Sequence, residues 1–236
     1  SRVKTVTVPA SDVTYEASYR EQFRVEISTG DVEADVDGRG WYPYGQQVTI
    51  NVEPQVVGSQ AKIRYNFSRW SGSGSGSYTG SERSTTIQVF EPIIQTVDWR
   101  EEYFLNLVSG HGTPSGQGWY DPGEEAQISI ESMVETDQES RYFFDGWNGE
   151  GIGSYTGADT SATVVMNEPI TQTASWSIQY FLDIVSPYSE YTGEGWYDYG
   201  ETATVYINPS VNQGEGERIQ FSGWTGVGSS SYTGPD

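Results

Sequence analysis

Carboxylates are the most numerous ionisable groups in this chain, and they are densest in Asp31-Val-Glu33-Ala-Asp35-Val-Asp37-Gly. Acids at every second position project to one side of an extended segment, where their oxygens could ligate Ca²⁺. Asp31, Glu33, Asp35 and Asp37 are therefore the candidate metal ligands, although no Glu closes a twelve-residue loop. The competing reading is a solvated acidic edge that discourages sheet aggregation. No resident cofactor is otherwise implied. His111 is the single histidine and there is no cysteine, and one imidazole alone makes no zinc site. Paired-acid hydrolysis needs two specific carboxyls across a cleft. Asp121 and Asp198 recur in equivalent turns, but Pro43 holds the third such place, so no catalytic residue is assigned and no enzyme activity is expected. The glycine-rich run Ser71 to Gly80, SGSGSGSYTG, lacks the lysine and helix of a phosphate loop. Asn66-Phe67-Ser68 is an N-glycosylation sequon, with Asn66 expected to face outward and Phe67 inward. Lys4 and Lys62 are the only lysines, too few for an isopeptide cross-link in every repeat.

The elements that position these residues follow from composition. In 236 residues, 35% are hydrophobic but 14% are aromatic, and large rings build a core from few residues. Gly, Ser, Thr, Tyr and Val favour short strands and many turns, and no helical period of useful length is present. Net charge is −21. A nucleic-acid binder needs a basic stripe and none exists, so nucleic acid is excluded as a partner. No apolar run reaches the ~18 residues of a membrane helix, so membrane insertion is not expected.

Internal repetition decides the organisation. Gly-Trp-Tyr occurs with Trp41, Trp119 and Trp196, spaced 78 and 77 residues apart. A Phe-x-x-Trp motif recurs as Phe67/Trp70, Phe144/Trp147 and Phe221/Trp224, spaced 77 and 77. The tyrosine of Ser-Tyr-Thr-Gly recurs at 78, 155 and 232, and Trp99 and Trp176 add another interval of 77. Within the second copy, YFLNLVS, AQISI, RYFFDGW, ATVVM and TQTASW read as short strands separated by turns. Such spacing without helices predicts an all-β chain: a tandem array of three small β-sandwich or Ig-like modules of about 77 residues, permuted at its ends. The expected boundaries are 1–22, terminal strands completing a neighbouring unit's last module; 23–100, module one; 101–177, module two; and 178–236, an incomplete module three.

The ends carry the argument further. Residues 5–23, TVTVPASDVTYEASYREQF, align with residues 85–103, TTIQVFEPIIQTVDWREEY, with Tyr19 in the place of Trp99. The third copy lacks this strand pair. Val6, Val8, Val13, Tyr15, Ala17 and Tyr19 are therefore the candidate assembly positions. The missing strands leave an unpaired edge with three ways to be filled. The chain is one period of a longer covalent array, or it donates strands head-to-tail to a second copy, or its own first strands close a ring.

The order Tyr-Phe-Leu, Gly-Trp-Tyr, Phe-x-Gly-Trp, Pro-containing turn and closing Trp resembles the tandem "bacterial repeat" modules of archaeal and bacterial cell-surface proteins, and distantly the internalin B-repeats. The pattern falls on Tyr103, Trp119, Gly123, Phe144, Gly146 and Trp147, and on Tyr180, Trp196, Gly200, Phe221, Gly223 and Trp224; the first copy departs at Arg69. The resemblance implies an extracellular stalk, adhesin or surface component without enzyme activity.

The expectation is a structural subunit or repeat period of an extracellular filament, stalk or surface appendage, with other copies of itself as partner. Trp41, Phe67, Trp70, Trp99, Trp119, Phe144, Trp147, Trp176, Trp196, Phe221 and Trp224 are expected to form the repeated core or junctions. Tyr42, Tyr120 and Tyr197, one step along from each Gly-Trp, are the expected exposed rings. They carry the alternative reading, a polysaccharide-binding adhesin array.

Overall fold

A computed structural model of the chain describes residues 3–8, 10–54, 56–58 and 62–235. Among the described residues every regular element is a strand, nineteen in all, and no helix is long and apolar enough to cross a membrane. The chain divides into two compact units, Ser1–Glu102 and Tyr103–Asp236. The expected boundary near residue 100 is close to this division. The one expected near 177 does not separate two units.

The first unit contains β1 (Gln22–Ser28), β2 (Asp35–Asp37), β3 (Gly40–Pro43), β4 (Gln46–Glu53), β5 (Val56–Val57), β6 (Ile63–Ser73), β7 (Thr85–Val89) and the first part of β8 (Ile93–Val108). In β4 Val48, Ile50 and Val52 are buried at alternate positions, the period of a strand with one face on the core. β2, β4 and β7 form one antiparallel sheet. In the other sheet β1 pairs antiparallel with β3 and parallel with β8, placing Val25 beside Ile93. Both sheets contribute to one core that includes Ile50, Phe67, Trp70, Val89 and Ile93.

The second unit takes the rest of β8 and adds β9 (Gly118–Tyr120), β10 (Glu125–Ser129), β11 (Met133–Glu135), β12 (Ser140–Glu150), β13 (Ser161–Val165), β14 (Ile170–Leu182), β15 (Tyr191–Thr192), β16 (Gly195–Asp198), β17 (Tyr206–Ile207), β18 (Ser210–Gly214) and β19 (Glu217–Gln220). The pairings of the first unit return. β10 pairs with β13, and β14 runs parallel to β8 with Ile170 beside Leu105. Leu105, Ile128, Trp147, Met166 and Ile170 lie in the second core.

Residues 178–235 belong to this unit for a physical reason. β14 is a single strand crossing residue 177, paired with β12 on one side and β16 on the other at Gln179 and Tyr180. Beyond residue 178 only Ile184 is a buried hydrophobic among the described residues. A segment with so little burial makes no separate compact body.

Glycine matters most in the loop before each Ser-Tyr-Thr-Gly. Gly76 and Gly153 adopt φ of +88° and +96°, and a Cβ there would stand 1.7 and 2.0 Å from the carbonyl oxygens of Gln88 and Val165. The third copy has Ser230 at this place, at φ 64°.

Candidate assembly interface

Three features of the third copy match the first two. Phe221 meets Trp224 edge-on at a centroid distance of 5.3 Å, as Phe67 meets Trp70 at 5.8 Å and Phe144 meets Trp147 at 5.5 Å. Trp224 N donates to Gly234 O at 2.7 Å, and the same bond at 2.8 Å joins Trp70 to Gly80 and Trp147 to Gly157. Thr233 Oγ1 accepts from Gly226 N as Thr79 and Thr156 accept from Gly72 and Gly149. The Trp-to-Tyr hairpin is thus a local product of its own sequence.

What differs is the cover. In the first two copies Trp70 and Trp147 are buried completely or nearly so, in cores that also hold Ile87, Val89, Ile93 and Val97, and Val164, Met166, Ile170 and Ala174. In the third copy a cavity of about 230 Å³ opens beside Trp224, lined by Val205, Tyr206, Ile207, Phe221 and Pro235. Val205 is 36% exposed, whereas Ile50, three residues before the matching strand's end in the first copy, is fully buried. Phe221 and Trp224 are accordingly only half-buried.

Residues 3–8 and 10–21 form no strand and are exposed. Val8 and Tyr19 reach 87% and 92% exposure, and Val6, Val13 and Tyr15 are also exposed. The positions that correspond to Val13 and Ala17 in the first copy are Ile93 and Val97, both buried.

Each complete copy contains a buried glutamine that closes the hairpin loop. Gln95 accepts from Tyr78 N at 2.8 Å and donates to Tyr78 O at 2.9 Å. Gln172 does the same to Tyr155 at 3.0 and 2.7 Å. Both glutamines are fully buried. In the N-terminal segment Tyr15 stands at this position.

The link between second and third copies is resolved within the second unit. Arg141 donates from Nε and Nη2 to Gln179 Oε1 at 2.9 and 2.7 Å. Gln179 Nε2 in turn donates to Asp198 Oδ1 at 2.8 Å. The Arg141 guanidinium lies 4.2 Å from the Trp196 ring centre, a cation–π arrangement, and Phe181 packs against the same ring at 5.2 Å. The corresponding arginine of the first copy, Arg64, bonds Glu102, together with Arg100 and Asn66. Burial raises the Glu102 pKa. The hydrogen bonds from Arg64, Arg100 and Asn66, with the charge of Arg64, outweigh burial and hold it below the ordinary glutamate value.

Several sequence expectations change here. Trp41 is not a core residue; it is 62% exposed, and its partner across the β1–β3 pairing is Arg24 rather than a phenylalanine. Trp119 and Trp196 are half-buried against Phe104 and Phe181, outside the two core clusters. The tyrosines turn the other way. Tyr42 and Tyr120 pack on the cores, and the Tyr120 and Tyr197 hydroxyls donate to Gly116 O and Gly193 O at 2.6 and 2.9 Å. These rings are not open platforms: each hydroxyl donates to a loop carbonyl three or four residues back, Tyr42 to Arg39 O at 3.4 Å. Trp99 and Trp176 are partly buried, with Nε1 donating to Thr29 O and Ser109 Oγ, both at 3.0 Å. Asn66 is half-buried, and the amide nitrogen a glycan would modify donates to Glu102 at 2.6 Å; the long β6 carries the sequon into the buried acid's reach. Asp31, Glu33, Asp35 and Asp37 are exposed at alternate positions as expected. Among the described residues, however, no three carboxylate or imidazole groups converge as metal ligands, since alternation spreads them along one edge. His111 stacks on Tyr142 at 3.5 Å and meets Trp176 edge-on.

No family model, curated protein or solved structure matches this chain.

Proposed function

We propose that this chain is a structural subunit or repeat period of an extracellular filament, stalk or surface appendage. On this reading it carries two complete sandwich-like modules and a third copy of the repeat that a head-to-tail neighbour completes. The carrying observation is the open groove beside Trp224, set against an exposed segment with the sequence of the strands that fill that place in the other copies. Strand addition supplies direction and main-chain bonding, and the apolar positions supply the fit. A repeated asymmetric contact of this kind propagates into a filament unless its rotation closes a ring. The neighbour is reached by strand donation or by covalent continuation of the chain.

The test is sedimentation and negative-stain imaging of the 26.1 kDa chain. Head-to-tail oligomers are expected, lost in Val13→Asp with the monomer's circular dichroism unchanged. A chain that remains monomeric at every concentration, together with a native polypeptide whose denatured mass is only 26.1 kDa, defeats the reading. The denatured mass of the native polypeptide separates the two routes, because covalent continuation requires a mass well above that of one chain.

A second reading rests on Trp41. This exposed ring lines a cavity of about 420 Å³ together with Arg24, Glu26, Ile27, Arg39 and Ile94, a surface of mixed polarity on which a sugar ring could stack. Retention on polysaccharide columns that survives Trp41→Ala removes it.

A further inference from the structure

The groove is one half of an interface, and the exposed Trp41 is the other. Within the second unit, Trp196 is covered by Arg141, which reaches it from the copy before. Trp41 is the counterpart of Trp196 and stands open at 62% exposure. The arginine equivalent to Arg141 in the third copy is Arg218, in the same Arg-x-x-Phe-x-Gly-Trp motif, and it is exposed. The strand bearing Arg141 pairs antiparallel with β14 and places Arg141 opposite Gln179, Phe143 opposite Ser177 and Phe144 opposite Trp176. The repeat equates these three partners with Gln22, Arg20 and Tyr19.

We propose that a second copy of this chain docks with its residues 5–22 against the third copy's open edge, in the register Arg218 opposite Gln22, and that Arg218 then stacks on the second copy's Trp41. This rests on the head-to-tail reading and specifies its geometry. The donated strand supplies the main-chain ladder, and the Arg–Trp contact sets where that ladder stops. The contact also makes the Trp41 surface unavailable once copies join. One element of the internal link is absent, because Pro43 replaces Asp198 and cannot accept from Gln22 as Asp198 accepts from Gln179. The stacked pair therefore carries more of the register than at the internal link.

The chain has no cysteine, which makes the register directly measurable. Chains carrying Gln220→Cys are mixed with chains carrying Arg20→Cys and oxidised. The proposal expects a disulfide-linked heterodimer, and little of it when Arg20→Cys is replaced by Ser18→Cys. Sedimentation of Trp41→Ala, Arg218→Ala and the double variant accompanies it. Each single change is expected to weaken association about three- to thirtyfold, and the double change by little more than either alone, as a shared cation–π contact requires. Association that persists with additive single effects, or with cross-linking only through Ser18→Cys, overturns this register and leaves the head-to-tail reading standing. Absence of any association overturns this proposal, and it overturns the head-to-tail reading as well when the native polypeptide's denatured mass is only 26.1 kDa. A cross-link confined within one chain, seen when Arg20→Cys and Gln220→Cys are combined, also overturns the proposal, since the segment then fills its own groove.

Discussion

Gln172 provides the sharpest test of what holds a complete copy together. Its side chain is fully buried and makes two bonds to one residue, accepting from Tyr155 N at 3.0 Å and donating to Tyr155 O at 2.7 Å. Gln172→Leu keeps nearly the same volume and removes both. The Tyr155 amide and carbonyl then lose their partners in a site too enclosed to admit solvent without rearrangement. Each unsatisfied group costs about 1–3 kcal/mol, so the pair costs roughly 2–6 kcal/mol, and the added apolar surface of leucine returns about 1 kcal/mol of that, leaving a net loss of about 1–5 kcal/mol. For a body of this size, at about 3 °C per kcal/mol, the melting temperature is expected to fall by about 3–15 °C. Thermal unfolding by circular dichroism reads the change, and amide exchange locates it: the Tyr155 N–H should exchange far faster while the Tyr78 N–H, held by Gln95, is unchanged. A Gln172→Leu protein within about 1 °C of the parent, with Tyr155 still protected, would refute the reasoning, because the two bonds would then contribute nothing beyond what water supplies.

Other outcomes follow from the same structure. Glu102 has its pKa lowered, so its contribution to stability is present above the unfolded value near 4.5 and is lost as pH falls through the lower folded value; Glu102→Gln is expected to cost roughly 1.5–3 kcal/mol at pH 7, with the gap to the parent closing in urea titrations run at successively lower pH. Ser230 stands at φ 64° where Gly76 and Gly153 admit a carbonyl of the adjoining strand. Ser230→Gly should therefore stabilise the monomer by about 1 kcal/mol and tighten association further, read by sedimentation; weakened association would show that the added strand lies elsewhere. Copies of charge −21 repel one another, so association should strengthen as NaCl is raised from 10 mM to several hundred millimolar, the reverse of the trend for a contact made by ion pairs.

Much of the fold is legible without coordinates because a repeat compares the chain with itself. The paired bridges at Trp70/Gly80, Trp147/Gly157 and Trp224/Gly234 fall on the residues whose spacing defines the copies, and each is a local hairpin that needs no distant partner. The alternating burial of Val48, Ile50 and Val52 is likewise set by a period of two. Rings were harder to place. In Gly-Trp-Tyr the two aromatics point to opposite faces, and nothing local says which face meets the core; Tyr120 was drawn inward because Gly116 O lies within reach of its hydroxyl. Asn66 illustrates the same limit, for its partner Glu102 is 36 residues away.

The amino-acid sequence alone determined that the chain is built of strands, that it repeats at about 77 residues, and that its residues 5–23 resemble residues 85–103. Those are properties of composition, turn chemistry and period, which act over a few residues at a time. Tertiary structure decided that Gln95 and Gln172 close loops 17 residues before them, that Trp41 stands open while Trp196 is covered, and that residues 178–235 join the second unit through β14. These depend on which side chains are brought together across strands far apart in the chain, and a one-dimensional pattern does not contain that distance.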